Sequence, residues 1–412
     1  MFYKKYIKNY AVIFLFTLGT MVIFHSCDFI LTPEVRDDET LDGPIEGLTG
    51  DQLQMFFQGD AQFNKVFSFN EGLGPIFNNN ACASCHVDDG KSHPNANLKR
   101  FQKNLGGGNY DPLTEHGGLQ LQDKSIPNYP AETIPAEANA VTERSGPIVS
   151  GLGLIEAIPD TAILANADPD DINNDGISGK PQLVFAPGYL NYPPGPYNGK
   201  YLGRFGRKAG AIVLLQQTVE AYRQDIGITT DLLPEENYNP KAGGYIDPVS
   251  DPEVSANIVQ VVVFYLKTLK PPVRRMQSDL SVIAGGTKFG EIGCTGCHTP
   301  SMMTGYNPVN ALTNKTVNLY SDMLLHDMGA ELADNYVEGD ALETEWRTTP
   351  LWGLGIIRNA TGGTPYYMHD GRTSDLVEAI RLHGGEAEAI KQAFMNLNDA
   401  DKQNIIAFLR SL

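Results

Sequence analysis

The sequence is short of positive charge, of cysteine and of tryptophan. Its 412 residues hold 31 Lys and Arg against 49 Asp and Glu, for a formal net charge of −18. Binding to a phosphate backbone needs clustered cations, so nucleic acid is excluded as a partner. Beyond Phe24 no apolar run is long enough to span a bilayer, so the body is not expected to be an integral membrane protein. Long strand-like alternation is also scarce, which predicts a mainly α class with much irregular loop. Five cysteines cannot all pair, and a disulfide scaffold does not account for them. What is present is an ordinary globular composition, 42% hydrophobic and 19% charged, with length for two domains of usual size.

The first segment reads as a targeting device. Lys4, Lys5 and Lys8 precede an apolar stretch from Ala11 to Phe24, the pattern of a signal peptide over residues 1–26. Ser26-Cys27 then resembles the bacterial lipoprotein cleavage box, in which Cys27 becomes the lipidated terminus. The alternative is a plain secretory signal, with Cys27 discarded or left free. Residues 27–46 form an acidic tether, and loss of the first 26 leaves a net charge of −21. The expected location is the bacterial cell envelope, periplasm-facing or on the surface, held to the membrane through lipid.

The other four cysteines form two like constellations, Cys82-Ala-Ser-Cys85-His86 and Cys294-Thr-Gly-Cys297-His298. C-x-x-C-H is the attachment pattern of haem c. Thiols about one helical turn apart reach the two vinyl groups of one macrocycle, and the adjacent histidine supplies the proximal imidazole. Two disulfides or one zinc site are the alternatives, and neither needs a histidine after each pair. The expected cofactors are two covalently bound haem c groups.

The constellations belong to a duplicated unit. Phe77 and Phe289 each lie five residues before the first cysteine of a motif. Arg144-Ser-Gly-Pro147 with Gly151-Leu-Gly153 is echoed by Arg347-Thr-Thr-Pro350 with Gly353-Leu-Gly355. Each half closes on an apolar helix, Val254 to Leu269 before Pro271-Pro272, and Asp399 to Leu412. Two tandem cytochrome c-like domains follow, at 47–275 and 276–412, the first enlarged by Pro- and Gly-rich loops over 160–250.

Asn70 to His86, Gly151 to Pro159, Leu324-Leu-His-Asp-Met-Gly329 and Glu345 to Gly355 resemble the di-haem oxidoreductase family of peroxidase-like proteins. The resemblance runs from about residue 50 to the C-terminus and reaches di-haem cytochrome c peroxidases and the di-haem enzyme that matures methylamine dehydrogenase. It implies an exported oxidoreductase. Electrons from a small donor protein or a quinol-linked donor would enter at the C-terminal haem and reach peroxide, or another small oxidant, at the N-terminal one. A thiol or metal-ion oxidoreductase, or an electron carrier with both irons six-coordinate, are the alternatives. A homodimer is the oligomer that the relatives imply.

For the C-terminal iron the sixth ligand is expected to be His383. It shares an apolar helical stripe with Leu376 and Ile380, and it stands fourteen residues after His369, where the peroxidases place that ligand. Core packing is the alternative for His383, and His326 and Met328 are rival ligands. His369 reads as a neighbour of the iron rather than a ligand. The N-terminal iron needs an open position, and His93 and His116 read as loop residues. Glu156, inside Leu154-Ile-Glu-Ala-Ile158, is the expected proton-transfer group, because desolvation raises a carboxyl pKa; a helix-edge glutamate facing water is the alternative. Arg144 and Arg347 are expected at haem propionates. Asp171, Asn173 and Asp175, followed by Gly176, carry calcium-loop spacing, although Gln182 stands where the bidentate Glu belongs. Trp346 and Trp352 read as packing residues first and electron conduits second.

Overall fold

The computed structural model describes residues 36–243 and 249–412, and Leu41–Leu412 form one compact unit. The signal peptide, Cys27 and the tether as far as residue 35 lie outside the described residues. Among the described residues no helix is long and apolar enough to cross a membrane.

The mainly α expectation does not hold. Among the described residues 34% are helical, and ten α-helices share the fold with several small sheets in a mixed α/β architecture. Most strands are two or three residues long, too short for alternation to register in the sequence. The longest, β1 (Leu98–Gly106), pairs antiparallel with β2 (Asn109–Asp111) and β3 (Ala140–Arg144), with Phe101 opposite Val141.

The helices that frame the interior form two pairs. Thr49 and Gln52 make a capping box that starts α1 (Gly50–Phe63). This helix packs against α4 (Ala256–Thr268), which Ser255 caps. Contact is close because Gly59 has no Cβ to strike the Val261 carbonyl. In the second half α5 (Leu280–Glu291), capped by Asp279, packs on α7 (Asp399–Ser411), capped by Asn398. Gly285 there faces the Asn404 backbone in the same manner. Both α2 (Leu152–Ala157) and α3 (Leu214–Ala221) pack on α4, and α6 (Leu376–Arg381) stands between α5 and α7 in the sequence.

Chain from both sides of position 275 shares the larger hydrophobic core, in which Tyr222, Val259 and Leu266 join Leu319, Leu324 and Trp352. A second core, centred on Phe289, Phe394 and Phe408, lies within the C-terminal half.

Candidate functional site

A cavity of about 690 Å³ runs through the unit and is lined by Cys82, Cys85, His86, Cys294, Cys297 and His298. Each motif begins as one short 3₁₀ turn, and the His86 and His298 amides donate to the Cys82 and Cys294 carbonyls at 3.0 Å in both cases. The four thiols are not in disulfides. Burial pushes Cys82 and Cys294 up to about 12, so both are thiols rather than thiolates.

The two histidines sit on equivalent aromatic floors. Phe63 lies 6.2 Å from the His86 ring and Phe289 lies 6.1 Å from the His298 ring, tilted by 46° and 50°. The sequence offset pairs Phe77 with Phe289, whereas the fold pairs Phe63 with it. Extra chain between α1 and Cys82 displaces the register of the repeat in the first half. Gly146 lies so close to His86 that a Cβ would come within 2.8 Å of the ring.

Three half-buried imidazoles share one arrangement. His86 Nδ1 lies 3.3 Å from the Gly90 carbonyl, His298 Nδ1 3.0 Å from Tyr320 and His383 Nδ1 2.8 Å from Ala379. A neutral imidazole that donates through Nδ1 keeps an Nε2 lone pair for a metal. Burial lowers the pKa of all three, His298 to about 4, which holds them neutral. His383 lies just beyond the C-terminus of α6, lines the cavity and acts electrostatically on His298. The charge that acts on His86 is instead that of Arg207.

The family model described as "Di-haem oxidoreductase, putative peroxidase" matches residues 134–412. The chain belongs to this family. Two solved structures are similar to this di-haem oxidoreductase. One is Kuenenia stuttgartiensis hydrazine synthase pressurised with xenon, at 14% identity and TM-score 0.38, over 93% of this chain and 98% of that one. The other is a MauG-like protein associated with microbial copper homeostasis, at 15% identity and TM-score 0.40, over 93% and 94%. No curated protein matches.

Haem is the group the family implies, and the cavity wall suits its two carboxylate tails. Arg144, Arg207 and Arg347 all line it and are buried. Arg207 donates only to the Ser145 carbonyl and hydroxyl, and Arg347 only to backbone carbonyls and the Met323 sulfur. Burial, with Arg347 and Arg144 alongside, lowers Arg207 to about 9, and burial lowers Arg347 to about 10. Buried guanidinium groups served by neutral acceptors call for anions in the cavity. Arg144 differs, since it already pairs with Glu338, although its Nε lacks a hydrogen-bond partner.

The remaining expected residues fall in other places. Both nitrogens of His326 are engaged, Nε2 with Asp322 at 2.8 Å and Nδ1 with Glu386 at 2.7 Å. Despite burial, the hydrogen bonds to Asp322, Cys297 and Glu386 push it up to about 12, and an imidazolium has no lone pair for iron. Met328 and Trp352 line the cavity. His369 stacks on Trp346 with centroids 3.8 Å apart and planes at 13°. His93 caps the Pro94–Ala96 turn, and His116 lies beside Glu115 and Glu137.

Glu156 does not line the cavity. Its Oε2 pairs with Lys267 at 2.6 Å and its Oε1 accepts from the Leu214 amide at 2.7 Å. The carboxylate thus joins α2, α3 and α4. Asp171, Asn173 and Asp175 stand in an exposed loop, where their side-chain oxygens accept backbone amides of the same loop. Gln182 is turned away to the Glu338 carbonyl and the Asp340 amide.

Sequence reasoning missed the polar wall of the N-terminal half. Helix α3 brings Gln216 and Glu220 to the cavity, and a wider π turn, Tyr222–Ile226, adds Asp225. Glu220 Oε1 accepts from Gln216 Nε2 at 3.0 Å and the Tyr189 hydroxyl at 3.1 Å, and Asp225 accepts from Gln120 at 2.5 Å. Burial raises both carboxyls, Asp225 to about 6. Glu338 is held down at about 2 by Arg144 and Arg100 despite its desolvation. The legible signal is Gln216 and Glu220 at i, i+4 on a helix whose Leu214 and Val219 are core residues.

Proposed function

We propose that this di-haem oxidoreductase reduces hydrogen peroxide at its N-terminal site with electrons admitted at its C-terminal site. Cys82 with Cys85, and Cys294 with Cys297, would hold one haem c each through thioethers, with His86 and His298 as the proximal residues and His383 as a further ligand for the C-terminal iron. Bound haem supplies redox-active iron, and the chain supplies protons, orientation and anion-binding sites. Reduction of one peroxide to two waters consumes two electrons and two protons. Asp225, raised by burial to about 6, and Glu220, raised by the same cause, suit the handling of those protons. Arg144, held by Glu338, orients charge in the same wall. The acidic surplus suits a small donor protein with a basic face. The basic start, apolar run and Cys27 support a lipid-anchored place in the cell envelope.

One observation carries the reading: His298 shares the cavity and an electrostatic interaction with a second neutral histidine, His383, whereas the charge that acts on His86 is that of Arg207 and the carboxyls near it are Glu220 and Asp225. Electron paramagnetic resonance of the half-reduced holoprotein tests it. One low-spin and one high-spin or openable iron are expected, and two irons that stay low-spin and closed would leave an electron carrier. Peroxide turnover with a reduced donor should fall by about 10²–10⁴ in Asp225→Asn, the usual worth of a positioned acid–base group.

A further inference from the structure

The Leu324-Leu-His-Asp-Met-Gly329 motif places His326 behind the C-terminal half of the cavity, next to Cys297. Its histidine is 2% exposed and is gripped on both sides by carboxylates. Asp322 belongs to the loop behind His298: its amide donates to the Cys297 carbonyl at 3.0 Å, and two residues earlier the Tyr320 carbonyl takes the His298 Nδ1–H. His326 Nδ1 lies 3.6 Å from Cys297 Sγ. Glu386 belongs to the turn that follows His383. Its Oε1 accepts from the Asp327 amide at 3.0 Å and the Ser178 hydroxyl at 2.7 Å, while its Oε2 accepts from the Ser178 amide at 3.0 Å besides meeting His326. Gly385 beside it lies against the Asp327 carbonyl too closely for any Cβ.

We propose that Asp322, His326 and Glu386 form a strut that fixes the span between His298 and His383, and so keeps the C-terminal iron closed by two histidines. One end of the strut is built into the loop that orients His298, and the other into the turn that ends the His383 helix. A carboxylate–imidazolium–carboxylate bridge is short, directional and charge-assisted, so it resists the slip that would draw His383 away. His326 is a positioning residue, acting through the two ligands and not on the iron. The inference rests on the proposed ligation by His298 and His383.

The test compares His326→Ala, Glu386→Ala and His383→Ala in the purified holoprotein, by electron paramagnetic resonance and the visible spectrum. His383→Ala should convert the C-terminal signal wholly to high spin. The two strut variants should lose part of that low-spin signal while the N-terminal signal and the far-ultraviolet circular dichroism stay as in the wild type. A low-spin signal undiminished in both strut variants, with His383→Ala high-spin, overturns the strut and spares the ligand assignment. An unchanged spectrum in His383→Ala overturns the ligand assignment, and the strut with it.

Discussion

The two halves of the cavity share their floors and differ in what faces them. In each, a helix that precedes the motif places a phenylalanine under the histidine. A closing helix then packs an aromatic ring on that phenylalanine, Tyr265 at 5.4 Å and Phe408 at 5.2 Å. In the rest of the lining the likeness ends. The C-terminal half presents His383, and the N-terminal half presents Gln216, Glu220 and Asp225, joined by Glu338 from the C-terminal chain. In the proposed function, the difference teaches that the motif would determine where a macrocycle is held, while the rest of the wall would determine what the iron there can do.

Removal of Glu338 breaks the comparison most severely. This largely buried carboxylate answers both Arg144 and Arg100. Leaving buried guanidinium groups without their anion costs about 3–5 kcal/mol, so Glu338→Ala should lose that much in chemical denaturation of the holoprotein. The pH dependence has a definite sign. A carboxyl held at about 2 in the fold contributes stability above its ordinary pKa and loses it as pH falls toward 2. Glu338→Gln should therefore flatten the acid limb of the stability curve, and a limb as steep as in the wild type refutes the assignment.

How much of this was legible in the sequence depends on distance along the chain. The Cys-x-x-Cys-His motifs and the capped helices are local, and local chemistry reads directly. The N-terminal wall was not legible, because Gln216, Glu220 and Asp225 follow His86 by well over a hundred residues and arrive through packing of α3. Small sheets escaped notice for a related reason: paired segments of two residues, such as Ile76–Phe77 with Lys124–Ser125, carry no periodicity. Phe63 was overlooked in favour of Phe77, since an offset cannot register an insertion between helix and motif.

Gly146→Ala sharpens the comparison at intermediate cost. The added methyl would stand 2.8 Å from the His86 ring, and His298 has no such backbone pressed on it among the described glycines. Overpacking of this kind costs about 1–3 kcal/mol. The expected result is a perturbed spectrum at the N-terminal haem alone, read by electron paramagnetic resonance. Equal disturbance of both signals would mean that the halves are not separable in this respect.

Glu156 gives the smallest effect and the clearest contrast with a wall residue. Its position in an apolar run argues for a desolvated acid, yet burial alone does not say which side chain or cavity a carboxylate meets. Here it meets Lys267, whose side chain is 31% exposed, and the Leu214 amide at the start of α3. A partly solvated ion pair is worth little, and one amide bond contributes about 1 kcal/mol. Glu156→Gln keeps an oxygen for Leu214 and gives up only the charge toward Lys267. Stability should fall by no more than about 1 kcal/mol, and peroxide turnover should stay close to that of the wild type, in contrast to Asp225→Asn. Loss of turnover in Glu156→Gln as large as in Asp225→Asn would return the proton-handling role to α2 and dissolve the distinction between the cavity wall and the joints behind it.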